Sequence, residues 1–218
     1  MKTIVLAGTR GIGRAIANRL RPLSSECVVT GSKDLNTSDM ASVRKFSKIH
    51  PKTDVLVLNT GGPPAKAFYD LTEEDWLLNF NQLFLSFVVL LREIKVRDGG
   101  YVFLISSFNI REPDPKLVLS NSLRLGFTSV LKTYSKLHLA RRISCINIAP
   151  GPIETDRLTG LLAKNGQTVA QLAATLPTGR VTAPEEIGAF VELIVSSKLT
   201  GLNGVTIPFD MGLGNFVL

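Results

Sequence analysis

Lys2-Thr3-Ile4-Val5-Leu6-Ala7-Gly8-Thr9-Arg10-Gly11-Ile12-Gly13-Arg14-Ala15-Ile16-Ala17 changes character twice within a short span. Lys2 to Ala7 is apolar and rich in β-formers, so it reads as a strand buried on both faces. Glycines at 8, 11 and 13 follow at once, and a segment of helical period then runs from Gly11 to about Arg21. In a strand, glycine turn and helix joined this way, the first amides of the helix and the positive end of its dipole point out of the turn. That arrangement suits a pyrophosphate. Gly8, Thr9, Arg10, Gly11, Ile12 and Gly13 are therefore candidates for holding a dinucleotide.

The same alternation continues along the chain. Further apolar strands are expected at Cys27 to Thr30, Val55 to Leu58, Tyr101 to Ser106, Ile143 to Ile148 and Gly204 to Pro208. Helices are expected near Ser38 to Ile49, Glu73 to Val96, Leu117 to Leu139 and Pro184 to Ser196. Thr37-Ser38-Asp39 and Ala183-Pro184-Glu185-Glu186 supply start signals, with Pro or acids in the first turn. Strands alternating with helices indicate βαβ units and a parallel sheet with helices on both faces, here in a single domain spanning 1–218. Residues 157–182 read as one long connection without a partner, the kind of segment that covers a ligand.

With 44% hydrophobic residues, 18 Gly and 11 Pro in 218 residues, the chain can bury a sizeable core. The longest apolar run, Leu83 to Leu91, is interrupted by Ser86 and falls short of the ~18 residues a membrane span needs. Cys27 and Cys145 lie inside strand-like runs, read as buried structural thiols, and no metal-ligand spacing is present. A reducing cytoplasm is the expected compartment. The net charge of +7 raises the question of nucleic acid. Lys and Arg are dispersed, however, so a solvated basic surface or a phosphorylated cofactor is favoured over a nucleic-acid footprint.

Leu6 to Gly13 resembles the Thr-Gly-x-x-x-Gly-x-Gly fingerprint of the short-chain dehydrogenase/reductase family, with Leu6 and Ala7 where that family has Thr and Gly. Asn59-Thr60-Gly61 is similar to part of the family's Asn-Asn-Ala-Gly segment. Pro150-Gly151-Pro152-Ile153-Glu154-Thr155 is similar to its Pro-Gly-x-x-x-Thr motif, and Leu199 to Gly212 to its closing strand. The resemblance covers nearly the whole chain. It implies a three-layer, Rossmann-like doubly wound fold that binds NAD(P), with Asn59, Gly61, Pro150, Gly151, Ile153 and Thr155 around the cofactor. Ser32 and Lys33 after the second strand, together with Arg10, favour NADP over NAD, because cations suit a 2′-phosphate. Asp34-Leu35 follows directly, where the family inserts a helix and a strand before an Asp-Val/Leu pair beside the adenine, and the resemblance makes Asp34 a further cofactor-binding candidate.

The family's Tyr-x-x-x-Lys pair is absent. Four residues after Tyr69, Tyr101 and Tyr134 stand Glu73, Ile105 and His138. Counting 26 residues back from Pro150, and 13 forward from Ser107, puts Arg124 and Ser120 at the Lys and Tyr places. Ser107 matches the family's catalytic Ser, or serves as a strand-end cap. The family's helical Asn falls on Leu83, with Asn79 and Asn81 within a turn. Ser107, Ser120 and Arg124 could form a polar pocket with a fixed cation for a cofactor ribose or an anion; alternatively Arg124 sits in a salt bridge on a helix face. The pattern resembles a divergent 3-oxoacyl-carrier-protein-reductase-like subgroup. It implies an NADP-linked oxidoreductase acting on a carbonyl or alcohol, or a catalytically inactive NADP(H)-binding module. A nucleic-acid-binding protein is the weaker alternative. Family members pair through their two longest helices, which here implies a homo-oligomer.

Overall fold

The computed structural model describes residues 1–216. Six parallel strands form one sheet in the order β2-β1-β3-β4-β5-β6: β1 (Lys2–Val5), β2 (Glu26–Val29), β3 (Lys52–Leu58), β4 (Lys95–Ile105), β5 (Ser144–Pro150) and β6 (Val205–Phe209). Chain direction across the sheet reverses between β1 and β3. In a doubly wound sheet the cleft beyond the carboxyl ends of the strands at that point is where ligands bind.

Alternation along each strand feeds two cores. Ile4 and Leu6, Leu56 and Leu58, and Val102 and Leu104 face one side. There they meet Val43 and Phe46 of α2 (Met40–Ile49), Phe87 and Leu90 of α4 (Ser86–Glu93), and Phe127 and Leu131 of α5 (Val118–Leu137). Val5, Val55, Val57, Phe103 and Ile105 face the other side, against Ile16 and Leu20 of α1 (Gly11–Leu20) and Ile187, Val191 and Ile194 of α8 (Pro184–Ser196). Helices on both faces explain why the strands are apolar at consecutive positions.

The start signals act as expected. Asp39 caps α2 by accepting from the Ala41 amide at 2.9 Å, and the Glu186 carboxylate accepts from Ala183 N at 3.1 Å ahead of α8. Three sequence expectations need correction. The helix expected over Glu73 to Val96 runs without interruption from α3 (Glu73–Phe80) through a π-helical turn (Asn81–Leu85) into α4, but ends at Glu93, because β4 already begins at Lys95. Residues 157–182 are not an open connection: they hold most of α6 (Asp156–Lys164) and all of α7 (Val169–Thr175), capped by Thr155 and Thr168. Cys27 is half-buried on the edge strand, whereas Cys145 is fully buried.

Among the described residues no helix is long and apolar enough to cross a membrane, and no metal-ligating cluster occurs.

Candidate active site

The turn after β1 carries an alanine in a conformation that favours glycine. Ala7 takes φ +45°, a left-handed conformation that costs an L-residue roughly 1–2 kcal/mol, and Gly11 takes φ +52°. Gly13 is required for a different reason: a Cβ there would lie 2.3 Å from the Ala7 carbonyl oxygen and 2.8 Å from Asn59 Nδ2. Asn59 donates to that same carbonyl at 3.3 Å, and Gly8 N donates to Thr30 O at 2.8 Å, so strand ends β1, β2 and β3 converge on the turn.

The start of α1 is left open. Arg10, at the N-cap, makes no side-chain cap bond, and no acid occupies the first turn. The first helical amide with an acceptor is Arg14 N, on Arg10 O at 3.2 Å; among the described residues the Gly11, Ile12 and Gly13 amides have none. Three free N–H donors, the helix dipole and Arg10 fit a dinucleotide pyrophosphate.

At the adenosine end, Ser32 and Lys33 are exposed on the turn after β2. The Asp34 carboxylate accepts from Gly31 N at 2.8 Å, which holds that turn. Beyond β3, Thr60 Oγ1 bonds Thr37 Oγ1 at 3.1 Å, and Gln82 Nε2 donates to Gly61 O at 3.1 Å. Of the candidates for the helical Asn, Leu83 is buried and Asn79 donates to Asp75 O at 2.8 Å; Asn81 opens the π-turn. Gln82, which no motif singled out, is the side chain of this segment that touches the loop after β3. The π-turn widens the helix at that point, as such turns often do beside functional sites.

The opposite lip follows β5. Gly151 N donates to Phe209 O at 3.1 Å, Ile153 bridges to Thr182, and Thr155 caps α6 through Leu158 N at 3.4 Å. Thr155 also faces α1 closely: a Cβ on Gly11 would lie 3.2 Å from Thr155 Cγ2. In the first turn of α6, Arg157 reaches across to the loop after β3, donating from Nη1 to Gly62 O at 2.8 Å and from Nη2 to Pro63 O at 2.9 Å. Sequence reasoning missed Arg157, because a lone arginine inside a segment read as a loop carries no signal of what it spans.

Ser107 ends the turn after β4. Its Oγ accepts from Asn109 N at 3.3 Å and lies 3.0 Å from Asn109 Oδ1, so it does cap the short 3-10 turn Phe108–Ile110. Ser120 and Arg124, both buried, project from the first turns of α5. Arg124 donates from Nε to Ser120 Oγ at 3.2 Å and from Nη1 to Ile105 O at 2.8 Å, at the carboxyl end of β4.

Arg124 is 8% exposed, and no carboxylate lies within ion-pair distance of it among the described residues, so the salt-bridge alternative fails. Burial, and then the nearby charge of Arg157, push its pKa down to about 10; burial likewise lowers that of Arg157. Arg124 is thus a cation at neutral pH in a poorly solvated place. No tyrosine stands in for the missing phenol: Tyr69 is exposed, Tyr101 is packed in the sheet, and Tyr134 stacks on His138 at the far end of α5.

Residues 36–214 match the family described as Enoyl-(Acyl carrier protein) reductase. The chain is 26% identical over 241 aligned residues to the 3-oxoacyl-[acyl-carrier-protein] reductase FabG of Aquifex aeolicus, covering 97% of this chain and 96% of that protein. It is 27% identical over 240 residues to human dehydrogenase/reductase SDR family member 4, covering 96% and 86%. A short-chain dehydrogenase family protein from Francisella tularensis shares the fold with a TM-score of 0.87 at 17% identity, with 97% of each chain covered. A 3-oxoacyl (acyl-carrier-protein) reductase from Agrobacterium tumefaciens, solved with NADP bound, shares it with a TM-score of 0.81 at 20% identity, over 97% and 93% of the two chains.

Proposed function

Because the chain belongs to the short-chain dehydrogenase/reductase family, we propose that it is an NADP-linked oxidoreductase of a carbonyl or alcohol, with Ser107, Ser120 and Arg124 as its catalytic group. The observation that carries this reading is that the open amides of Gly11, Ile12 and Gly13 and the Ser120–Arg124 pair lie at the carboxyl ends of strands of one sheet, on either side of its switch point. Gly8 to Gly13, Asn59, Gly61, Pro150, Gly151, Ile153 and Thr155 line the cofactor's path. Arg10, Ser32 and Lys33 favour the phosphorylated dinucleotide, since cations suit a 2′-phosphate, with Asp34 beside them on the same turn.

When bound, the nicotinamide supplies hydride transfer; the residues of the chain supply position and charge. Arg124 Nε donates to Ser120 Oγ, which leaves the Ser120 hydroxyl proton free to point at a substrate oxygen. Ser107, freed from Asn109, offers a second donor. The buried guanidinium stabilises the negative charge that grows on that oxygen, and does so strongly because water is scarce there. A serine hydroxyl is a far weaker acid than a phenol, so turnover should fall below that of Tyr-bearing relatives by the ~10²–10⁴-fold that positioned acid catalysis contributes. Titration with NADPH and NADH, followed by a carbonyl panel, tests this. Tighter NADPH binding and a turnover that Arg124→Ala removes are expected; NADPH binding with no turnover across the panel would refute it.

A second reading, an inactive NADP(H)-binding module, is favoured by the bond between Ser120 and Arg124, which closes the two replaced positions on each other. On that reading Ser120→Tyr with Arg124→Lys creates turnover where the native chain has none. Exposed Leu77 and Leu78 on α3 and Leu125 on α5 support assembly of copies through these helices, to be read from light scattering. The two free thiols suit a reducing cytoplasm.

A further inference from the structure

Five arginines of this protein are paired with acids: Arg19 with Glu192, Arg44 with Glu93, Arg97 with Asp54, Arg141 with Asp98, and Arg180 with Glu186. Arg124, the most buried, is not. Its acceptors are one hydroxyl and one carbonyl, and among the described residues its Nη2 donates to nothing. Arg157, bound to the loop after β3, the strand next to β4, also rests on two neutral carbonyls. Two like charges with only neutral acceptors, one of them nine-tenths buried, form an arrangement that an anion relieves. The cofactor's phosphates have their own donors at the start of α1, beside β1, whereas Arg124 lies at the end of β4, next to Ser120.

We infer that Arg124 and Arg157 seat an anionic group of the substrate, so that the carbonyl compound reduced carries its own carboxylate or phosphate. This rests on the reductase reading of the same site. Arg124 presents the unused Nη2 edge of its planar fork, and Arg157 adds a second cation at the carboxyl end of the neighbouring strand. A guanidinium suits a planar, bidentate carboxylate or a phosphate, and a neutral ester offers no charge to offset.

Four probes in two matched pairs test it: acetoacetate against methyl acetoacetate, and dihydroxyacetone phosphate against dihydroxyacetone. The full-length protein saturated with NADPH is followed by thermal unfolding and by NADPH oxidation, at constant ionic strength. At least one charged probe should raise the melting temperature where its neutral partner does not, and the two pairs tell a carboxylate from a phosphate. Arg124→Gln and Arg157→Gln should each weaken that response about tenfold or more, and Arg124→Lys should keep part of it. If Arg124→Gln does not fold, Arg157→Gln, on the exposed side of α6, carries the test. Equal response to charged and neutral probes, or an unchanged response in the Gln variants, overturns the inference. Turnover of the neutral probes at equal KM would overturn it while leaving the reductase reading intact. An arginine-dependent thermal response without turnover would uphold the anion seat and remove the reductase reading.

Discussion

Ala7→Gly should stabilise this protein, which runs against the usual effect of placing glycine in a fold. Ala7 sits at φ +45°, in the turn that holds the candidate cofactor cradle. Relieving that conformation is worth about 1–2 kcal/mol. Glycine loses about 0.4–1 kcal/mol of this, because the unfolded chain gains freedom. The expected net gain is about 0.5–1 kcal/mol, or about 1–4 °C in melting temperature for a chain of this size. The matched control is Ala17→Gly, the same chemical change in the interior of α1, where Ala17 is buried with helical neighbours. There the helix propensity alone predicts a loss of about 1 kcal/mol. Thermal and urea unfolding of both variants, with and without NADPH, measure the two signs. If Ala7→Gly melts below the parent, or if both variants move in the same direction, the left-handed strain at Ala7 is not the operative term and the reasoning fails.

Gly13→Ala forces a Cβ against the Ala7 carbonyl at 2.3 Å, a backbone atom that cannot swing aside; NADPH titration should show binding lost, with stability down by ~1–3 kcal/mol. Thr72→Ala removes the N-cap of α3, which accepts from Asp75 N at 3.2 Å, and should cost about 1 kcal/mol in urea unfolding. Acid should weaken the fold in a definite window: the Lys66 ammonium and the Thr72 amide hold Asp75 below its ordinary pKa, and the Arg180 guanidinium and the Ala183 amide do the same for Glu186. Both contributions are present above the usual carboxylate range and vanish as pH falls through the lowered folded-state values. Asp75→Asn should therefore flatten the slope of stability against pH below about pH 4.5. Burial pushes the Cys145 thiol up to about 12 and also raises half-buried Cys27, with Arg21 opposing the rise. Alkylation at pH 8 should be slow at both and reach Cys27 first, as peptide mass spectrometry would show.

Much of the framework was legible because both-face burial writes itself into strands as continuous apolar runs, and because a turn that must clear a backbone carbonyl admits only glycine at 13. Counting from Ser107 and Pro150 was enough to identify Ser120 and Arg124 as neighbours, and they do share a hydrogen bond. The π-turn inside the helix after Phe80 was not legible, since the apolar pattern runs on across it. Nor were the helices within 157–182, whose amphipathic turns are short and depend on threonine caps.

By itself, then, the order of residues determined the layered α/β architecture, the glycine cradle and the loss of the Tyr-x-x-x-Lys pair, because each is a matter of local period or spacing. Whether Arg124 has a counter-ion, whether Arg157 spans the cleft and whether Gln82 reaches Gly61 depend on contacts between segments far apart in the chain. Only the packed structure decides these, since charge and burial at a point are set by everything folded around it.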